Sequence, residues 1–326
     1  MALSASSAQA DRADPTDSAG PVSSRRRWRS DRRLTWAPAE RGSTTIRPDG
    51  GRTGEQVGIG RTAEVFAIGD GRILKLLRPG FPDRLGLDEA RIGALINAIG
   101  LPAPRLLGTE RVDGRFGLLY ERLLGPSMLD RLTNRPWLVD ALAGRFAALH
   151  AEMHTCSGAG LPDVKVSWRH MIERAAERLG TSRAEAAQAR LERTTDGSVV
   201  CHGDMHPGNV IMTTAGPIVI DWLTARSGPP EADIARTLFL LTESAVPDAY
   251  PRWQRAAIEA LRRRFAATYL RRYRRLHRVD ERQLDLWRLP VLAARLGEDI
   301  GAEADRLVRL VDAELARAPI GPAARR

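Results

Sequence analysis

Residues 202–209 read His-Gly-Asp-Met-His-Pro-Gly-Asn. Pro207 and Gly208 disfavour a regular helix there, so the string is a loop. Two apolar runs follow, Val210-Ile211-Met212 and Ile218-Val219-Ile220, on either side of Ala215-Gly216-Pro217. That pattern predicts a short hairpin. The second run ends at Asp221, twelve positions after Asn209, and Asp204 stands five positions before Asn209. The hairpin should bring Asn209 and Asp221 opposite one another, beside the loop that carries Asp204. An ordinary polar turn uses the same residue types. It does not require the whole eight-residue string, nor a strand ending in an acid.

Such a set of side chains suits phosphoryl transfer, which needs phosphates gripped, a metal held and an acceptor hydroxyl oriented. Asp204 would receive the hydroxyl proton. Asn209 and Asp221 would offer oxygens to magnesium, a hard cation. A different chemistry would use His202, Asp204 and His206 as metal ligands of a hydrolase. With six histidines in the chain and no further His or Cys cluster, this reading has little more to draw on. Lys75 lies in the middle of Ile73-Leu74-Lys75-Leu76-Leu77, where an unpaired buried ammonium would be costly. Glu89, on the next predicted helix, is a natural counter-ion, and a lysine's compact charge suits a phosphate oxygen. The segment Gly58-Ile59-Gly60-Arg61-Thr62-Ala63-Glu64-Val65 precedes that strand pair, and its glycines would let backbone amides approach phosphates.

The 326 residues are enough for two lobes. Residues 1–50 are polar and arginine-rich with little apolar periodicity, and read as a disordered basic tail. Residues 51–124 should form a small β-rich lobe that binds nucleotide. Its hairpins are marked by Gly69-Asp70-Gly71 and Asp113-Gly114, and a helix is expected over 87–99. Residues 125–318 read as a larger helical lobe holding the catalytic loop and the acceptor site, with a tail over 319–326. Val139, Leu142, Phe146, Leu149 and Met153 mark one face of a long helix there. Further helices are expected near 167–180, near 184–194 and through most of 231–317. The formal charge of +10 comes from 48 arginines and only two lysines, a bias that looks compositional. The basic segment Arg25 to Arg33 and the arginines of 261–278 therefore read as solvated, and no nucleic-acid partner is expected. In 261–278, Leu261, Phe265, Tyr269, Tyr273 and Leu276 form a stripe that should pack on the large lobe. No apolar run approaches a membrane span. Cys201 follows Val199-Val200 in a predicted buried strand, so a free thiol and a reducing, cytoplasmic setting are expected.

Together these residues resemble the aminoglycoside phosphotransferase and choline kinase superfamily, over roughly residues 54–245. The resemblance implies an α+β, bilobal protein-kinase-like fold and a kinase acting on a small molecule with ATP and Mg2+. It makes Asp204 the catalytic base and gives Asn209 and Asp221 to the metal. It places Lys75 on the α/β-phosphates with Glu89 as partner, and Gly58 and Gly60 in the phosphate-covering loop. The backbone of Glu121 and Leu123 would meet adenine. Asp233 looks like the carboxylate that braces the catalytic loop, with His202 also in a supporting role.

Departures narrow the class. Ala63 stands at the third glycine of the kinase-type loop. Gly203 stands where protein kinases carry the arginine that pairs with a phosphorylated activation loop. Only 11 residues separate Asp221 from Asp233, too few for a peptide-docking segment. A small-molecule hydroxyl acceptor follows, while its identity and the oligomeric state stay open. A cationic aminoglycoside or choline would want an acidic or aromatic cleft. Glu298, Asp299, Glu303 and Asp305 could supply the acids, and Trp222, Tyr250, Trp253 and Trp287 the walls. A sugar- or homoserine-type metabolite is an alternative acceptor, and a catalytically silent kinase-like binding protein the alternative class.

Overall fold

The computed structural model describes residues 45–46, 54–243, 251–298 and 303–317. The predicted tails, apart from Thr45 and Ile46, lie outside these residues, as do Tyr250 and Asp299. The first part of the chain forms one antiparallel sheet. Its strands are β1 (Thr45–Ile46), β2 (Gly54–Ile59), β3 (Ala63–Ala67), β4 (Arg72–Leu77), β5 (Leu106–Val112) and β6 (Arg115–Glu121), in the order β1-β2-β3-β4-β6-β5. Helix α1 (Asp83–Ile99) packs on β5 and β6. Asp113 and Gly114 both take positive φ, 50° and 76°, as a two-residue turn between right-twisted strands requires.

Three expectations shift here. Gly58 and Ile59 belong to β2, paired with Val65 and Glu64, so the glycine segment is itself a hairpin and not a loop ahead of the sheet. Thr45 and Ile46, assigned to the tail from sequence, pair with Glu55 and Gly54 as β-branched chemistry allows. Helix α1 also begins at Asp83, earlier than residue 87. It runs through Gly86, a poor helix former, because the Phe116 ring packs there. A Cβ on Gly86 would lie 2.2 Å from Phe116 Cδ1.

Strand alternation decides which side chains face α1. Leu74 and Leu76 join Phe66, Ile68 and Val112 on the outer face. Leu77, Phe116, Leu118 and Tyr120 pack on the α1 side. Lys75, with the period-2 parity of Leu77, is therefore on the helix side.

The second part is mainly helical: α2 (Met128–Asn134), α3 (Val139–Met153), α4 (Val164–Leu179), α5 (Thr181–Glu192), α6 (Pro230–Thr242), α7 (Arg252–Leu276), α8 (Glu281–Leu296) and α9 (Ala304–Ala316). The apolar stripe of α3 is buried against α7, with Phe146 edge-on to Phe265 and Tyr269. The α7 stripe thus packs inward, except Leu276 at its exposed end, while Arg264 and Arg274 pair with Asp140 and Glu281. Trp287 is fully buried against Trp168 and forms no cleft wall. Two short ribbons lie between α5 and α6. One pairs β7 (Val199–Cys201) with β10 (Arg226–Gly228), and the other β8 (Val210–Thr213) with β9 (Gly216–Val219). Gly216 and Pro217 lie within β9, so the turn sits one step earlier than predicted. On the edge of a two-stranded ribbon a proline's missing N–H costs little. No helix among the described residues is long and apolar enough to cross a membrane.

The chain passes from sheet to helices across β8. Gly125 takes φ 149°, and a Cβ there would lie 2.3 Å from the Met212 carbonyl oxygen. The Met212 amide donates to the Pro126 carbonyl at 2.9 Å. Gly125→Ala should therefore destabilise the fold by about 1–3 kcal/mol, the cost of a strained backbone position. A lower thermal midpoint is the expected result, and an unchanged one would show that the crossing has slack.

Candidate active site

The loop 202–209 begins where β7 ends. His202 is fully buried beside Trp222, with ring centroids 4.7 Å apart. One ring nitrogen faces the Ile220 carbonyl at 3.1 Å and the other accepts from the Asp204 amide at 3.2 Å. Both nitrogens are spent, which removes His202 from the hydrolase-type metal set. Burial lowers its pKa, so the ring is held neutral. Gly203 takes φ 77°, and a Cβ there would lie 2.6 Å from the Thr224 carbonyl oxygen. The departure at this position is thus enforced by the turn.

Asn209 ends the loop. Its side-chain nitrogen donates to the Asp204 carbonyl at 2.9 Å and to Asp204 Oδ2 at 3.2 Å. That fixes the Asp204 carboxylate and leaves the Asn209 amide oxygen as the side chain's other polar atom. The Ile220 amide donates to the Asn209 carbonyl at 2.9 Å, extending the hairpin ladder so that Asp221 emerges beside Asn209. Asp221 takes φ 65°, ψ 61°, a left-handed conformation that non-glycine residues seldom adopt. The buried Trp222 side chain, whose Nε1 donates to the Val219 carbonyl at 2.9 Å, secures the turn that follows.

Lys75 closes the site from the sheet. Its Nζ lies 2.7 Å from Glu89 Oε1 and 2.9 Å from Asp221 Oδ1. Glu89 is buried on α1, one face of which continues through Ile92 and Ile96. Tyr120 also reaches Glu89, at 3.3 Å. Burial opposes the Lys75 charge, but Glu89 and Asp221 outweigh it and raise its pKa. Desolvation pushes the Asp221 carboxyl up, and Lys75 more than reverses this. One ammonium thus joins the sheet, α1 and the strand end at Asp221.

Asp233, in the first turn of α6, lies behind the loop with its side chain fully buried. It accepts from the His202 amide at 2.5 Å and the Gly203 amide at 2.8 Å. His150 on α3 and His154, at the C-cap of that helix, reach it at 3.0 and 3.3 Å. Their other nitrogens face the hydroxyls of Tyr269 and Tyr273, at 2.8 and 2.7 Å. A neutral His154 satisfies both of its partners, with Tyr273 donating to Nδ1 and Nε2–H donating to Asp233. Although these three residues form a group close enough to hold a metal, the carboxylate is already saturated by hydrogen bonds. Desolvation opposes its charge, but the histidines hold its pKa well below the usual range. Sequence reasoning missed this network, and it missed Arg236, whose Nε donates to the Gly203 carbonyl at 3.2 Å. The available signal was two i, i+4 pairs, His150/His154 and Tyr269/Tyr273, on helices whose apolar stripes face each other.

These residues surround one cleft of about 1610 Å3 between the sheet and the helices. Gly58, Gly60, Glu121, Leu123, Asp204, Asn209 and Asp221 all line it, as do Lys75 and Glu89. His202 and Asp233 stand behind it. A family profile described as the phosphotransferase enzyme family matches residues 53–278. The chain belongs to that family. It is a small-molecule phosphotransferase with the bilobal kinase-like fold. No curated protein matches in sequence. Among solved structures, an aminoglycoside-3'-phosphotransferase of type VIII is 22% identical, with 72% of this chain and 90% of that one covered and a TM-score of 0.50. The GDP and kanamycin complex of APH(2")-IIia is 18% identical, covering 83% and 94%, at 0.51. A choline kinase from Cryptosporidium parvum Iowa II is 13% identical, covering 80% and 88%, at 0.51. At these identities the likeness is one of fold.

The buried phosphotransferase core predicts a pH dependence. Burial, with the neighbouring His150 charge, lowers the His154 pKa from 6.5 to about 4. Between those values the unfolded chain takes up a proton that the folded one refuses. Stability should be full above about pH 6.5 and fall as the pH drops toward 4. Thermal midpoints measured from about pH 7 to pH 4.5 should decline, and a flat series would contradict a neutral buried His154.

Proposed function

We propose that the protein transfers the γ-phosphoryl group of ATP to a hydroxyl of a small molecule, with magnesium. The observation that carries this reading is the convergence of Lys75, Asp204, Asn209 and Asp221 on one cleft. The donor set fits a hard cation: the Asp221 carboxylate, and the amide oxygen of an Asn209 whose nitrogen is committed to Asp204. Bound magnesium would neutralise phosphate charge and hold the phosphates in register.

The chain's own residues divide the rest of the work. Val65, Ile73 and Ile220 give the cleft apolar surface for a flat base. Because the Glu121 amide already donates to the Arg105 carbonyl at 3.1 Å, a base could meet only the Glu121 carbonyl, with Leu123 beyond it. Gly58 and Gly60 would let the β2–β3 hairpin close over phosphates. Lys75 would exchange part of its contact with Asp221 for phosphate oxygens while Glu89 keeps it oriented. Asp204, aimed by Asn209, would take the proton of the attacking hydroxyl. Solved structures of the same fold that hold GDP support nucleotide use in it. The free thiols of Cys156 and Cys201 are in keeping with a reducing, cytoplasmic compartment.

A catalytically silent binding protein would lack one of these groups, and all four are present. Asp204→Ala should keep nucleotide binding and lose at least about 100-fold in transfer, the range of a general base. Unchanged turnover would remove the base assignment. Asp221→Ala should weaken magnesium–ATP binding at least about tenfold, since even outer-shell groups at metal sites cost that much. Calorimetric titration with and without magnesium reads this directly, and a normal affinity would count against the metal role.

A further inference from the structure

Gly203 immediately precedes Asp204, and it has no side chain by which packing could fix it. Its left-handed conformation, φ 77°, is one that glycine enters and leaves freely. The direction of the Asp204 side chain therefore depends on what grips the Gly203 backbone. Helix α6 grips it on both sides. The Gly203 amide donates to Asp233 Oδ1 at 2.8 Å, and the Gly203 carbonyl accepts from Arg236 Nε at 3.2 Å. Asp233 and Arg236 are three positions apart, so one face of the helix presents both groups. The carbonyl contact falls on the peptide unit that leads directly into Asp204.

Arg236 is itself held. It is buried, and its Nη2 donates to Glu298 Oε1 at 2.5 Å. Glu298 lies just past α8, and its other oxygen, Oε2, accepts from Arg295 at 2.6 Å. Both guanidinium groups lie against the Phe239 ring, 5.7 and 5.8 Å from its centroid. Glu298, expected from sequence to offer charge to a cationic acceptor, thus has both oxygens engaged within the fold. A plain ion pair between α6 and the end of α8 would need only the Nη2 contact. The Nε contact uses the rigid fork of a guanidinium, whose donors keep fixed directions, to serve the Gly203 carbonyl as well.

We infer that Arg236 is a positioning residue for Asp204: it fixes the peptide between Gly203 and Asp204 from α6, and Glu298 keeps it aimed. The inference rests on the phosphotransferase reading, in which Asp204 receives the proton of the attacking hydroxyl.

Two measurements on the intact protein test it: hydrogen exchange of the loop, and phosphate release from radiolabelled magnesium–ATP with water as the acceptor. Arg236→Gln should speed amide exchange over residues 202–209 several-fold. It should lower turnover at least about tenfold and change ATP affinity less than about twofold, as when the base moves and the nucleotide site does not. The same change made in Asp204→Ala should cost less than about twofold in turnover, since a residue that acts through Asp204 then has nothing left to position. Glu298→Gln, which leaves Arg236 in place, should shift both readouts the same way by less, and it takes over both measurements if Arg236→Gln does not fold. Unchanged exchange and turnover in a folded variant would overturn the inference. So would an equal loss of turnover in both backgrounds, the mark of a merely structural contact. Loop exchange that responds to Arg236 in a protein that releases no phosphate would fail the phosphotransferase reading while upholding the grip of Arg236 on the loop.

Discussion

The saturated carboxylate of Asp233 is the constraint on which the site depends. A fully buried anion is tolerated only when its lone pairs are met. Here they are met by two loop amides and two imidazoles. The same bonds that stabilise the charge fix the backbone of His202 and Gly203, hence the direction in which Asp204 leaves the loop. Tyr269 and Tyr273 extend the arrangement to α7, so the packing of α3 on α7 bears on the loop geometry. Removing one histidine would leave part of a buried charge unmet.

A second constraint spans the two lobes. Lys75 on β4, Glu89 on α1 and Asp221 after β9 share one ammonium, and strand parity and helix periodicity deliver all three to the same point. The pair with Asp221 is the half-exposed side of this contact, while Glu89 is buried. That asymmetry suits a site that must open toward phosphate without losing its lysine. Asp221 holds a left-handed backbone at a cost of about 1–3 kcal/mol, which Trp222 burial and Lys75 offset.

What the sequence disclosed follows from range. The loop 202–209, the hairpin after it and the Lys75 to Glu89 spacing are encoded within short stretches, and their turn residues and periodicities are readable directly. Asp233 was legible only through the family resemblance, since by itself it is an acid at a helix start. The contacts that support it were not: His150 meets Tyr269 across 119 positions, and both look like ordinary core residues on apolar stripes. For Glu298, in the acidic cluster near the C-terminus, the decisive partner Arg236 is also distant in sequence. Its charge is real, but Arg236 and Arg295 neutralise it in three dimensions. The start of α1 was displaced because Gly86 reads as a helix breaker until the Phe116 ring above it is seen.

Where a nucleotide and its metal sit decides the role of this cleft. A crystal structure of the protein with magnesium and a non-hydrolysable ATP analogue tests this most directly. It should show a metal about 2.1 Å from oxygens of Asp221 and Asn209. Phosphate oxygens should lie on Lys75, and the terminal phosphate should face Asp204. A nucleotide bound elsewhere, or a metal held without Asp221, would contradict the assignment of this cleft.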